Sequence, residues 1–366
     1  MNNAHTHSHT GLQNRRVGLT CWVRRLLWLA ILLYLPVVLT DRAIGGINLS
    51  NVQLLNLSLT QINLMLIAML GALSLNFLTG CAGLISIGHA ALYAVGAMTA
   101  ATAGTQWGWP FPVVLLMAAM TGSLAGLLAG LPSLRVRGLY FVLSTMALHY
   151  IVIFAFLEFQ FRFFDVVGIP YNPATLAGFE LNTPTRWYGF LLVITAGVFW
   201  GLRNTLRSRE GQALMAMRDH ELAATALGMD VRLLRLKAFM LSSAIASVAG
   251  ALYAYYLTNV TSETFGISFA IQFIAMIIVG GMGSLVGSMV GAAIWLLLPS
   301  IINLAASQAG DTTGLVHLVL VEHKAQLVQL IFGCLVMVLL IFAPQGLAGL
   351  GQQWFKRRSS ARSKVS

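Results

Sequence analysis

Charge is scarce in this 366-residue chain: Asp, Glu, Lys and Arg together make up 9% of it, and only 11 residues are acidic. A soluble domain carries about 25% charged residues, so an ordinary water-facing globule is excluded. Cysteine is nearly absent as well. Cys21, Cys81 and Cys334 lie far apart, in or beside apolar segments, which rules out a disulfide framework and a metal cluster and leaves them as small core residues. No phosphate loop of the form G-x-x-x-x-G-K-S/T occurs, so the chain does not bind ATP in that way. H-E-x-x-H, C-x-x-C and G-x-S-x-G are missing too. The few acidic residues avoid the apolar interior: Glu158 and Glu263 fall near span ends, and Asp165, Glu180, Asp311 and Glu322 fall in loops. A pump coupled to protons or sodium buries carboxylates for its ion, and that chemistry has no residues here.

What fills the chain instead is hydrophobic sequence, 58% of it. Runs such as LLWLAILLYLPVVL do not alternate, so they are not strands of a barrel, and helices are the remaining way for a backbone to cross lipid with its polar groups satisfied. A span needs roughly 20 apolar residues. Candidates are the segment after Arg24 and then about 54–78, 84–104, 111–131, 139–160, 187–202, 238–258, 268–284, 285–306 and 325–343. The expected fold is an all-α polytopic transmembrane bundle of about ten spans, within a range of eight to ten. The least secure pair meets around Gly280 to Gly287, where no charged loop intervenes.

Orientation follows from Lys and Arg. With the N-terminus inside, only Arg42, Arg162, Arg186 and Lys324 of the 22 basic residues fall outside. Both termini are then cytoplasmic: a tail over 1–22, a transmembrane domain over 23–343 with a cytoplasmic loop at 203–237, and a basic tail over 344–366. The net charge of +11 therefore reflects topology, and the basic residues lack the aromatic interleaving of a nucleic-acid surface. His5, His7 and His9 alternate in what reads as a disordered tail. The outer loop at 161–186, with its prolines, Asn172 and Gly178, calls for ordered turns.

Two segments repeat one glycine spacing: Gly122, Gly126 and Gly130, then Gly283, Gly287 and Gly291. Glycines four apart share a helix face and let two backbones approach, so both sets read as helix packing. Ser86 and His89, in GCAGLISIGHAALYAVGAM, and His149, in STMALHYIVIF, are polar groups inside apolar spans. Each histidine either bonds a neighbouring helix as a neutral imidazole or lines a solute path.

The cytoplasmic stretch REGQALMAMRDHELAATALGMDVRLLRLK stands apart. Leu214 and Met217 mark one side of a first helix; Asp219 is placed to cap a second, of about eight residues, ended by Gly228 as a left-handed residue; Asp230 caps the next. The alanines Ala223, Ala224 and Ala226 make the middle helix narrow enough to enter a groove, with Arg218 and Glu221 at its rim. A helix lying on lipid would carry bulkier apolar residues.

Three blocks, LSLNFLTGCAGLISIGHAALYAVGAM, GQALMAMRDHELAATALGMDVRLLRLKAFMLSSAIASVAGALYA and FIAMIIVGGMGSLVGSMVGAAI, resemble the LivM-type permease subunits of branched-chain amino acid ABC importers, over roughly residues 54 to 348. The resemblance implies that Ala223, Ala224 and Gly228 match a coupling helix held by an ATPase, with Glu221 displaced one place by Leu222. It implies a bacterial inner-membrane subunit without a cofactor of its own, working with a homologous permease, two ATPases that bind the ATP, and an extracytoplasmic solute-binding protein. Urea, short amides and aromatic acids are carried by similar permeases and remain open as solutes. A stand-alone carrier or channel is the alternative of another class.

Overall fold

A computed structural model of the protein describes residues 58–136, 138–164, 168–176, 179–308, 324–342 and 346–349. The N-terminal tail, the first expected span, residues 309–323 and all of the C-terminal tail except 346–349 lie outside the described residues. Among those described, the fold is helical apart from four two-residue strands. Seven helices are long and apolar enough to cross a membrane, and each expected segment from 54–78 onward falls on a described helix.

The first helix, α1 (Leu59–Asn76), starts at a capping box in which the Ser58 hydroxyl accepts from the Gln61 amide and the Gln61 side chain accepts from that of Ser58. It ends in a π turn over Phe77–Cys81. A non-helical stretch over 82–88 follows before α2 (His89–Thr99), which runs on as a π-helical extension over Ala100–Gln106. Next come α3 (Phe111–Gly130) and α4 (Leu139–Phe163). After two short strands of a hairpin, α5 (Pro184–Arg207) leads into α6 (Arg209–Asp219), α7 (Glu221–Ala226) and the long α8 (Val231–Leu257). The described chain closes with α9 (Ile267–Gly280), α10 (Leu285–Gln308) and α11 (Lys324–Phe342).

Helix α8 forms the centre because small residues let its neighbours reach its backbone. On one side a Cβ on Gly250 would lie 2.1 Å from the carbonyl oxygen of Tyr93, and one on Gly96 of α2 would lie 1.8 Å from that of Ser247. On another side, Gly122 and Gly126 of α3 lie against Ser243 and Ser247, and Gly130 lies against Leu236 and Phe239. Ser74 of α1 and Ser242 of α8 exchange hydrogen bonds, each hydroxyl donating to the other's carbonyl at 3.1 and 2.8 Å. The second glycine set divides. Gly287 and Gly291 of α10 pack on Gly280 and Met276 of α9, whereas Gly283 precedes α10 and shares no helix face with them. It sits in the turn joining α9 to α10 with φ +85°, a backbone region that suits glycine.

The two ends of the bundle differ. At one end the loop after α4 meets the loop after α8: Ile169 pairs with Val260 and Pro170 with Asn259 as antiparallel strands, and the Tyr171 amide donates to the Thr258 carbonyl. A second pair, Thr175–Glu180 and Leu176–Phe179, forms the hairpin. These are the ordered elements expected from the prolines of 161–186. Cys81 is buried, but Cys334 is exposed on α11 and is no core residue. The other end carries the 203–237 insertion and the broken end of α1.

Candidate functional site

The insertion is built onto the bundle and does not hang from it. Ser208 ends α5 and caps α6, its hydroxyl accepting from the Gly211 amide at 3.3 Å. Leu214 and Met217 of α6 and Ala224 of α7 are buried in one apolar cluster with Phe77, Leu78, Cys81, Leu84 and Phe239 from the helix ends. Asp230 caps α8 through the Leu233 amide at 3.1 Å. Gly228 closes α7 with φ +80° and no atom near the place of a side chain.

Two details differ from the sequence reading. Helix α7 has six residues, shorter than the expected eight, because the chain leaves the helical path at Leu227. Asp219 does not cap it: the cap position is taken by His220, without a side-chain bond, and the Asp219 carboxylate lies 3.4 Å from Nε of Arg218.

Which face α7 presents also becomes clear. Ala224 points inward, while Leu222 and Leu227 are 82% and 77% exposed, beside exposed Ala223, Ala226 and Gly228. Sequence reasoning passed over the two leucines. Their signal was a pair of bulky apolar residues flanking small ones in a charged loop. Exposed apolar groups clustered outside the hydrocarbon mark an interaction surface.

Glu221 turns away from that surface. Its carboxylate meets Nη2 of Arg235 in α8 at 2.6 Å, the two side chains being 27% and 10% exposed. The pair lines a cavity of about 400 Å³ together with Gly83, Ile85, Val136, Gly138 and Phe141. Lys237 and Glu210 form a second ion pair between α8 and α6. Breaking a largely desolvated pair leaves an uncompensated charge. Glu221→Lys is therefore expected to loosen α7 by about 2 kcal/mol, or roughly 30-fold in amide hydrogen exchange at Ala224 and Thr225. Adding Arg235→Glu should restore most of the protection; unchanged exchange in the single variant would show that the pair does not hold the helix.

Of the residues expected on a solute path, Ser86 lies in the non-helical 82–88 stretch and is buried, and His89 is the first residue of α2. The His89 Nε2 lies 2.5 Å from the Ser74 hydroxyl, which donates to the Ser242 carbonyl; Nε2–H is then the donor, and Nδ1 is the nitrogen that finds no partner. His149 is buried on α4, edge-on to Tyr150. The two histidines do not touch the insertion. Arg218 does not stand at the rim of α7: its guanidinium donates to the carbonyl of Gly80 in the π turn of α1. Among the described residues no group of His, Cys, Asp or Glu is arranged to hold a metal ion.

A bundle of membrane-length helices with one insertion packed onto its end is the architecture of a multi-pass membrane protein. The chain belongs to the family described as branched-chain amino acid transport system / permease component, which matches residues 57–343. It is 28% identical over 314 residues to the high-affinity branched-chain amino acid transport system permease protein LivM of Escherichia coli (strain K12), covering 79% of this chain and 69% of that one. The protein of the same name in Salmonella typhimurium (strain LT2) is 28% identical over 312 residues, 78% of this chain and 69% of its own. A probable branched-chain amino acid transport permease protein LivM of Methanocaldococcus jannaschii is 23% identical over 240 residues, 64% of this chain and 67% of its own. No solved structure matches the chain significantly.

Proposed function

We propose that this chain is the inner-membrane permease subunit of an ATP-driven importer for branched-chain, hydrophobic amino acids. It crosses the bilayer about ten times, within a range of eight to ten, with both ends in the cytoplasm, and the end bearing α6 and α7 is cytoplasmic. With a homologous permease it forms the solute path, separate ATPase subunits drive it, one of them docking on α7, and an extracytoplasmic binding protein delivers the solute at the end where Ile169 and Pro170 pair with Val260 and Asn259.

The observation that carries this reading is the surface of α7. Two almost fully exposed leucines stand on a helix too short to be stable alone yet fixed from behind by Ala224 and by the Glu221–Arg235 pair. A helix so supported and so exposed is set for a groove in another protein. The solute class comes from the family and from the names of the three relatives. The test is uptake of labelled leucine into proteoliposomes holding the complete complex. Uptake is expected only with ATP on the ATPase side and binding protein on the other. Uptake by this chain alone would favour a stand-alone carrier and overturn the proposal.

A further inference from the structure

Helix α1 stops short of an ordinary end. Of the carbonyls its last turn leaves without an intrahelical partner, Phe77 accepts from the Ala82 amide and Leu78 from the Leu84 amide. Gly80 accepts from Nη1 of Arg218, a residue more than a hundred positions away. A cation at the carbonyl end of a helix is favourable in charge as well as in geometry.

The same arginine touches two further segments. A Cβ on Gly83 would lie 2.8 Å from its Cγ, so the stem of Arg218 runs along the 82–88 stretch. A Cβ on Gly283 would lie 3.0 Å from Nη1, which puts the guanidinium against the turn between α9 and α10. That turn is bound back to α1, because the Gly283 amide donates to Asn76 Oδ1 at 2.8 Å. Gly80 and Gly283 themselves are in backbone contact, since a Cβ on Gly80 would lie 2.3 Å from the Gly283 nitrogen. Arg218, Gly80, Gly283 and Asn76 thus close one ring of contacts joining α6, the broken end of α1 and the α9–α10 turn. Arg218 lies at the end of α6, separated from α7 only by Asp219 and His220, and α6 and α7 share the apolar cluster beneath them.

We infer that Arg218 is the positioning residue through which displacement of the docking helix reaches the π turn of α1 and the α9–α10 turn, an inference that rests on the importer reading above. The side chain suits this task. It is long enough to span from α6 to a helix end, it is charged so that the bond to Gly80 is strong, and at 43% exposure it is not locked in the core. The two segments it holds are both places where regular α-helix is interrupted, the π turn and a turn with two glycines at positive φ, Gly281 and Gly283. Interrupted helix is where a bundle repositions without breaking long hydrogen-bond ladders.

The experiment compares the complete complex in proteoliposomes, with binding protein and labelled leucine, for the wild-type chain and Arg218→Ala. The ATPases should co-purify with the variant as with wild type, while the amount of leucine imported per ATP hydrolysed falls roughly tenfold or more, the change that loss of one charge-assisted hydrogen bond brings. Arg218→Lys should fall between the two, because an ammonium reaches the Gly80 carbonyl but has no planar edge to lie against Gly283. Asn76→Ala should give a similar loss, and the double variant with Arg218→Ala should be no worse than about twofold below the single one, since both act on one ring. A coupling ratio within about twofold of wild type in Arg218→Ala, loss of the ATPases from that variant, or additive losses in the double variant would each overturn the inference. If Arg218→Ala fails to fold, the ratios of Arg218→Lys and Asn76→Ala decide in the same way. A wild-type complex that imports nothing with ATP would instead bring down the importer reading, and the inference with it, before any variant is compared.

Discussion

Leu222→Glu combined with Leu227→Glu is expected to strip the ATPase subunits from the complex while leaving the permease folded. Both side chains are displayed by α7 and neither contributes to the core beneath it. Burying a leucine in a partner's groove stabilises by about 1.5 kcal/mol at the low end, so losing two removes about 3 kcal/mol, at least roughly a hundredfold in affinity. Each substitution also asks the groove to take in a carboxylate without a partner, which adds to the loss. Co-purification of tagged permease with its ATPases reads the result, and the thermal unfolding midpoint in detergent checks the fold. Retention of the ATPases at wild-type stoichiometry would mean that they dock elsewhere.

Gly96→Val and Gly250→Val are expected to be among the most damaging single substitutions to the bundle. In each, the first added carbon would fall about 2 Å from a backbone carbonyl of the facing helix, where no rotamer change relieves it. Overpacking of this kind costs about 1–3 kcal/mol and sometimes more, against a total stability of about 5–15 kcal/mol for a typical domain. The two glycines sit at one crossing, Gly96 of α2 over Ser247 and Gly250 of α8 over Tyr93. The double variant should therefore yield little monodisperse protein. Gly201→Ala on α5 is the contrast: nothing lies within 4 Å of the added carbon, and replacing a helical glycine by alanine gains about 1 kcal/mol. Size-exclusion profiles and melting midpoints of the four variants give the comparison, and equal profiles would show that α2 and α8 are not packed backbone to backbone.

Composition and hydrophobic run length were enough to place the long apolar helices from α1 onward, because in lipid the backbone has few other solutions. The break between α1 and α2, expected at 79–83, lies instead at 82–88. Residues 82–88 are nearly as apolar as the helices around them, and a hydrophobic run reads alike whether it is coiled or extended. The clue was glycine spacing: Gly80, Gly83 and Gly88 do not repeat every four residues as Gly122, Gly126 and Gly130 do. Ser86 and His89 were consequently read as neighbours on one span, whereas a helix start separates them.

In the insertion, the chemistry was legible and the facing was not. Small residues and Gly228 announced a short exposed helix, but which way each side chain points on a helix of six residues depends on what waits across space. Glu221 turns inward because Arg235, one helix later, is nearly buried and draws a carboxylate. Ala224 turns inward because the apolar cluster has room for a methyl group there. Arg218 reaches across to α1 because Gly80 offers a carbonyl on an element encountered more than a hundred residues earlier. No local pattern encodes such partners.

The strand pair between the loops after α4 and α8 has a mechanical consequence for the bundle. Ile169–Val260 and Pro170–Asn259 fasten the far end of α4 to the far end of α8, and the Ser262 amide bonds the side chain of Gln160, in the last turn of α4, at 3.0 Å. Helix α4 is otherwise weakly held, with only 22% of its apolar window buried. The fastening therefore acts as a fulcrum: α8, 27 residues long, is a lever arm of about 40 Å. A push of about 3 Å delivered at Val231 would correspond to a swing of about 4° about this clip, so the end of α8 that carries α6 and α7 is the end with the longest reach from the point where α4 and α8 are tied together.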